Sequence, residues 1–312
     1  MSLLNISLRD LEYLLALHQC GHFGRAAEVC HVSQPTLSSQ LAKLEEQLGV
    51  QLVDRSRRQI RFTAAGDALV ERAQKIVRDV RALVDEARRW QDPLAGELRL
   101  GIIPTIAPSL LSLLLSAQER ALPNLNLILR EAQTDLLVAA LEAGELDALI
   151  VADLPRLATY ARATLYDEPM LLATPLGHPL ASQPQLEQQA LAGQQLLMLE
   201  DGHCLREQTL GYCAGGGGAA DDTFRATNLE TLRQLVASGR GITLLPVMST
   251  QDVGNAGICY RAFSDPQPAR RVVLLWRRGA GLDRTCRPLA ELVARMVKPR
   301  LAGFSAPQLG TE

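Results

Sequence analysis

The sequence predicts an α/β protein in three parts: a winged helix-turn-helix head over residues 1–66, a long linker helix over 67–92 and an α/β domain over 97–302. Three observations carry this. A stripe of leucines at helical spacing follows a tight turn near Ser33. Apolar or small residues then recur in heptads from Leu69 to Trp90 without a break. After Glu97, short apolar runs alternate with helical stretches, as in a mostly parallel sheet clad by helices.

Bulk properties narrow the function. At 312 residues the chain suffices for two to three domains with sizeable cores. It is 47% hydrophobic but 4% aromatic, so the cores are built from Leu, Ala and Val. A net charge of −2 gives no global basic field, so any polyanion site is local. Six cysteines are scattered with no CxxC pair and no Cys/His metal spacing, which argues against a secreted disulfide scaffold and against a metal. No cofactor is expected. The start carries Arg9, Asp10 and Glu12 and does not read as a signal peptide. The apolar run Leu110–Ala117 is too short to span a bilayer, so a cytoplasmic protein without a membrane partner is expected. In a reducing compartment a disulfide would be a signal rather than a staple.

In the head, Ser7 can cap a helix bearing Leu8, Leu11, Leu15 and Ala16, and a short second helix carries Phe23, Ala26, Ala27 and Cys30. His31-Val32-Ser33 makes a turn, Ser33 is a good N-cap, and Pro35 is tolerated in a first helical turn. Leu37, Leu41, Leu44 and Leu48 form the inner stripe of the third helix. Its outer side presents Pro35, Thr36, Ser39 and Lys43, flanked by Gln34, Ser38 and Gln40. Small hydroxyls and amides suit base edges in the major groove, and Lys43 suits a phosphate. Gln51–Asp54 and Gln59–Phe62 read as wing strands, with Arg55, Arg57 and Arg58 at the tip. Residues 1–66 hold seven Lys/Arg against six Asp/Glu, so a DNA-binding reading rests on where the charge is placed. The competing reading is a helical subdomain with a solvated basic loop.

Thr63 caps the linker helix. Leu69, Ile76, Leu83 and Trp90, with Ala73, Val80 and Ala87 at the alternate positions, form the seam of a two-helix coiled coil. Pairing would put two heads on one axis, each reading a half-site. Asp92-Pro93-Leu94-Ala95-Gly96 ends the helix. Beyond it, Leu98–Ile103, Leu125–Leu129, Leu146–Val151, Met170–Thr174, Leu196–Leu199, Ile242–Leu245 and Val272–Trp276 read as buried strands. Helices are expected near 107–121, 134–143, 184–192, 228–238 and 282–300. Ligands in such sheets bind beyond the carboxyl ends of the strands. Thr105, Thr134, His203 and Thr227 all follow that rule.

The stretch Asp201-Gly202-His203-Cys204-Leu205-Arg206-Glu207 places a thiol beside an imidazole and a guanidinium, and Cys213 lies nine residues on. A cationic neighbourhood favours the thiolate, which attacks peroxides and disulfides. A second thiol can condense with the resulting sulfenic acid. Two small hydrophobes in a core is the plainer alternative. If 204–213 is helical, nine residues separate the two Cα atoms by ~13 Å, whereas a disulfide needs them within roughly 7 Å. Oxidation would then have to refold the segment, and the glycines after Cys213 would supply slack.

Phe23-Gly24-Arg25-Ala26-Ala27, Val32-Ser33-Gln34-Pro35-Thr36-Leu37-Ser38, Leu44-Glu45, Leu48-Gly49 and Phe62-Thr63-Ala64-Ala65-Gly66 resemble the N-terminal domain of LysR-type transcriptional regulators. Gly101-Ile102-Ile103-Pro104-Thr105, Glu131-Ala132-Gln133-Thr134, Leu197 to Arg206, Phe224-Arg225-Ala226-Thr227 and Gly241 to Pro246 extend the resemblance to the hydrogen-peroxide-sensing branch of that family. The resemblance implies a periplasmic-binding-protein-like regulatory domain of two subdomains. It makes Cys204 the peroxidatic and Cys213 the resolving cysteine, and it puts Thr105, Thr134, His203, Arg206 and Arg271 around the peroxide. It implies promoter DNA, RNA polymerase and a second copy in a homodimer or homotetramer as partners. Hydrogen peroxide would be the signal, and a thiol reductant of the glutaredoxin or glutathione type would reset it. No catalytic turnover is expected. A regulator answering a small organic effector, and a thiol peroxidase or hydrolase fused to a DNA-binding head, remain alternatives.

Overall fold

Ser7 opens the first helix, α1 (Leu8–Cys20), with a full capping box: its hydroxyl accepts from the Asp10 N–H while the Asp10 carboxylate accepts from the Ser7 N–H. This is seen in a computed structural model that describes residues 6–54, 60–183, 186–251 and 257–302. The chain divides into two units, Met1–Ala87 and Arg88–Glu312. After α2 (Phe23–Val29), the turn passes through His31 in the left-handed region, and Ser33 caps α3 (Gln34–Leu48) by accepting from the Thr36 N–H. Leu37, Leu41 and Leu44 pack on Leu14, Leu17, Ala26 and Ala27, so the predicted leucine stripe is the core of the head. Glu45 reaches from α3 to accept the N–H groups of Leu52 and Val53 at 2.8 and 3.0 Å. That anchors the wing, in which β1 (Val53–Asp54) pairs antiparallel with β2 (Arg61–Phe62). Arg55, Arg57 and Arg58 lie outside the described residues.

Thr63 caps α4 (Ala64–Gln91), its hydroxyl accepting from the Gly66 N–H at 2.9 Å. Glycine is required at 66: a Cβ there would lie 2.2 Å from the Leu52 carbonyl oxygen. One heptad core position turns into the head instead of toward a partner helix. Ala73 was expected in the seam between two chains, but with Val70 it is buried in the head's own core. A helix that leaves a globular head must first pack on it, and only its later turns are released. There Ile76, Leu83 and Val84 are exposed, Leu83 by 67%, an apolar face that suits a partner helix. The side chain of Trp90 lies outside the described residues.

The second unit runs β3 (Gly96–Ile102), α5 (Ala107–Ala121), β4 (Leu125–Glu131), α6 (Thr134–Glu142), β5 (Ala148–Ala152), β6 (Ala161–Pro175), β7 (Gln195–Leu199), α7 (Cys204–Gly215), β8 (Ala219–Ala226), α8 (Leu229–Ala237), β9 (Thr243–Pro246), β10 (Ile258–Arg261), β11 (Ala269–Trp276) and α9 (Asp283–Ala302). Strand β3 pairs in parallel with β4 and β5, but β11 pairs antiparallel with both β5 and β6. The sheet expected to be mostly parallel is therefore mixed. The reason is β6, whose 15 residues are three times the run read from the sequence. Its first part pairs with β11 and its last part with β9 and β10, so one strand serves two subdomains. The helix expected near 184–192 shrinks to a single 3-10 turn, Gln188–Leu191. Strand β8 was not foreseen, because Asp221, Asp222, Thr223 and Arg225 interrupt any apolar run; it pairs in parallel with β7.

Candidate functional site

The parallel strands β3 and β4 end at turns that carry Thr105 and Thr134, the latter the first residue of α6. Strand β7 ends just before His203, the N-cap of α7, and Cys204 is that helix's first residue. Gly202 makes the approach possible: its φ is 93°, and a Cβ there would lie 2.4 Å from Gln133 Oε1 at the start of α6. Thr105, Thr134, His203 and Cys204 are all buried.

The cation of the site is Arg270, which corrects the expectation for Arg271. Side chains alternate along a strand, and Arg270 points inward from β11 while Arg271 points out. Arg271 is exposed and pairs with Asp167 at 2.8 Å. Arg270 is 2% exposed and faces Glu168 directly across β6. Its guanidinium donates to Glu168 Oε2 at 2.8 Å from Nε, and to Thr105 Oγ1 and the Thr105 carbonyl, each at 2.9 Å. Glu168 Oε1 also accepts from the Met248 N–H at 2.9 Å. Arg206, expected beside the thiol, binds Asp201 at 3.0 Å and the Leu199 carbonyl at 3.2 Å. Glu168 has no role legible in the sequence, because cross-strand register is not local information. Gln208 was missed although its signal was available: it lies one helical turn beyond Cys204 on the same face. With Met170, Tyr212, Leu244 and Arg270 it lines a cavity of about 360 Å³. Gln208 Oε1 and the Tyr212 hydroxyl are buried there without a protein partner.

Burial pushes the Cys204 thiol above its ordinary pKa. Arg270 opposes this most strongly, followed by the Thr134 hydroxyl and a backbone hydrogen bond from Ala152, while Glu207 pushes the other way. The position at the N-terminus of α7 also favours the thiolate. Thr134 Oγ1 lies close enough to act on the sulfur but makes no hydrogen bond of ordinary geometry, so a buried hydroxyl beside the thiol is unsatisfied. Burial lowers the His203 pKa against the pull of Glu200, whose carboxylate lies 3.9 Å away.

Neither Cys204 nor Cys213 is in a disulfide, and both are buried. Along α7 they lie nine residues and ~13 Å apart, about a half-turn out of phase, so they face opposite sides. Burial pushes the Cys213 thiol from 9.0 up to about 11. The consequence for stability has a definite sign. The unfolded thiol ionises from about pH 9 and the folded one only near pH 11, so folding stability falls as pH rises through that window. Thermal melts of the reduced protein should show this loss, and Cys213→Ala should show less of it.

On the head, Ser33, Gln34, Pro35, Thr36, Ser39 and Lys43 are exposed and Ser38 is half-buried, on the side of α3 away from its leucines. Among the described residues, no helix is long and apolar enough to cross a membrane.

Two family models match the chain: the bacterial regulatory helix-turn-helix protein of the lysR family over residues 8–67, and the LysR substrate binding domain over residues 91–298. Among curated proteins, the chain is 44% identical over 302 residues to the hydrogen peroxide-inducible genes activator of Dickeya chrysanthemi, covering 96% of this chain and 99% of that one. It is 44% identical over 293 residues to the DNA-binding transcriptional dual regulator OxyR of Escherichia coli K12, covering 93% and 96%. Among solved structures, a full-length OxyR variant from Pseudomonas aeruginosa aligns with a TM-score of 0.71 at 34% identity, over 97% of this chain and 100% of that one. A hydrogen-peroxide-bound OxyR mutant from Corynebacterium glutamicum aligns with a TM-score of 0.65 at 31% identity, over 98% of both chains. In this chain the capped third helix of the head, the two cysteines on one helix and these matches along nearly the whole length agree: the chain belongs to the LysR family of bacterial transcriptional regulators, in the OxyR group.

Proposed function

We propose that this protein is a hydrogen-peroxide-responsive transcriptional regulator that controls antioxidant genes, with Cys204 as the reacting thiol and Cys213 as the resolving one. One observation carries the reading: two buried, reduced cysteines stand on opposite faces of a single helix, and one of them sits at its N-terminus near a buried arginine. The Cys204 thiolate attacks one peroxide oxygen. The O–O bond breaks, the sulfur is oxidised to a sulfenic acid, and the leaving hydroxide takes up the thiol proton as water. The Cys213 thiolate then attacks the sulfenic sulfur, forming the S–S bond and releasing a second water. Two thiols and one peroxide thus become a disulfide and two waters. A thiol reductant of the glutaredoxin or glutathione type returns the two electrons, so the protein reacts once and resets rather than turning over.

Arg270 supports the thiolate electrostatically, and the unsatisfied Thr134 hydroxyl can hold a peroxide oxygen. Thr105 Oγ1 accepts from Arg270, which leaves its own proton to donate. His203, whose neutral form burial favours, would complete the peroxide site. Ser33, Gln34, Pro35, Thr36, Ser38, Ser39 and Lys43 would face promoter DNA, with Arg55, Arg57 and Arg58 reaching its backbone from the wing. The exposed Ile76, Leu83 and Val84 of α4 suit a second copy, in a homodimer or a homotetramer acting with RNA polymerase in the cytoplasm.

Non-reducing peptide mapping after a brief peroxide pulse tests the chemistry. A linkage between the peptides of Cys204 and Cys213 is expected, and peroxide-treated protein without it would refute this version. A small organic effector is the second reading. It is favoured by a cleft of about 370 Å³ lined by Thr105, Ser109, Glu131, Asn228, Arg233 and Met248, which falls within the size range of small-molecule sites. Thermal-shift screening of reduced Cys204→Ser would expose such a ligand.

A further inference from the structure

The C-terminal turn of α7 is held from the side by the 3-10 turn Gln188–Leu191. Gln188 Nε2 donates to the Tyr212 carbonyl at 2.5 Å. Tyr212 immediately precedes Cys213, and its carbonyl is among the last four of the helix, which lack a regular intrahelical donor. The N–H groups that could have served go elsewhere: those of Gly216 and Gly218 both reach the Cys213 carbonyl, at 3.0 and 2.9 Å. The glycine run that follows lets the two segments touch. A Cβ at Gly216 would lie 2.2 Å from the Gln188 carbonyl oxygen, and one at Gly215 would lie 2.6 Å from Gln188 Nε2. A Cβ at Gly218 would lie 3.0 Å from the Leu191 carbonyl oxygen, and the Gly193 N–H donates to the Gly217 carbonyl at 3.1 Å. These glycines are therefore not slack in the reduced form; they seat the end of α7 against residues 188–193.

We infer that Gln188 is a positioning residue for disulfide formation: its side chain latches the last turn of α7 and limits how often Cys213 is released toward Cys204. The inference rests on the peroxide chemistry proposed above. For the two sulfurs to meet, α7 must unwind between them, and Tyr212 and Cys213 must leave their seat. Every opening of that turn breaks the Gln188–Tyr212 bond, whereas attack of Cys204 on peroxide does not. The latch should therefore act on the second step and leave the first unchanged.

Gln188→Ala removes the donor, and Gln188→Glu keeps the shape while replacing the amide donor with a carboxylate that the carbonyl repels. In rapid mixing of the full-length protein with peroxide, a dimedone-type trap reads sulfenic acid at Cys204, and non-reducing mass mapping reads the disulfide. Loss of one neutral hydrogen bond should raise the rate of disulfide formation about five-fold in both variants, with sulfenic acid formation matching wild type. In reduced protein, hydrogen exchange at the Gly216 and Gly218 amides should rise while the core strands stay protected. An unchanged or slower second step in either variant, or equal changes in both steps, would overturn the latch. If wild type itself forms no disulfide, the peroxide reading has failed instead, which the same experiment shows separately.

Discussion

Cys204→Ser should abolish the peroxide-dependent change in the DNase footprint on a target promoter, while leaving the footprint of the reduced form in place. Serine fills the same space at the start of α7, so the helix, the Arg270 network and the head are kept. Only the nucleophile is lost, because an alkoxide is not accessible near neutral pH as a thiolate is. The expected effect is near-complete loss of the response. Cys213→Ser behaves differently: the sulfenic acid at Cys204 forms and can be trapped, but no linkage follows. A serine variant at 204 that still answered peroxide on DNA would remove the ground for the sensor and leave a DNA-binding regulator. Rates should also depend on pH in a definite direction. The folded Cys204 thiol titrates above its ordinary value, so the thiolate is a minority near neutrality and the rate of sulfenic acid formation climbs with pH until that raised pKa is passed.

Arg270→Met should be the most destabilising single change in the regulatory unit, and it should also slow the reaction. The substitution leaves Glu168, 0% exposed, with a buried carboxylate that has lost its cation, and strips Thr105 of two hydrogen bonds. Breaking a buried pair from one side costs about 3–5 kcal/mol, which lowers the melting temperature by on the order of 10 °C. The chemical effect has a separate origin. Arg270 is the largest influence holding the Cys204 pKa down, so without it the thiolate fraction falls and reaction with peroxide slows by roughly ten-fold or more. Adding Glu168→Leu separates the two effects. Removing both charges should return much of the stability but none of the rate. A double variant that recovered its peroxide rate would show that Arg270 acts only as a scaffold. Calorimetry and stopped-flow oxidation measure the two sides. Arg271→Met, on the outer face, should leave both nearly unchanged, since exposed pairs contribute little.

The recognition helix was readable because everything that makes it is close in sequence. Ser33 caps it, Pro35 sits in the first turn, and the leucines repeat at a period that only a helix satisfies. The thiols of Cys204 and Cys213 were readable for the same reason, but a helix over 204–213 was only a supposition until the fold showed α7. Ala73 was not, because the heptad that carries it continues into a stretch that packs on the head, and the repeat does not reveal which turns are still covered. Gly215–Gly218 could be read as slack or as close approach, and the fold makes them close approach.

Local rules of capping, periodicity and alternation thus establish the helix-turn-helix, the long helix and the α/β unit, since each depends on residues a few positions apart. The length of β6 and its register against β11 decide the rest. That pairing joins positions about a hundred residues apart in the chain, and a shift of one residue would turn Arg270 outward and bring Arg271 into the site, so no local pattern could choose between them.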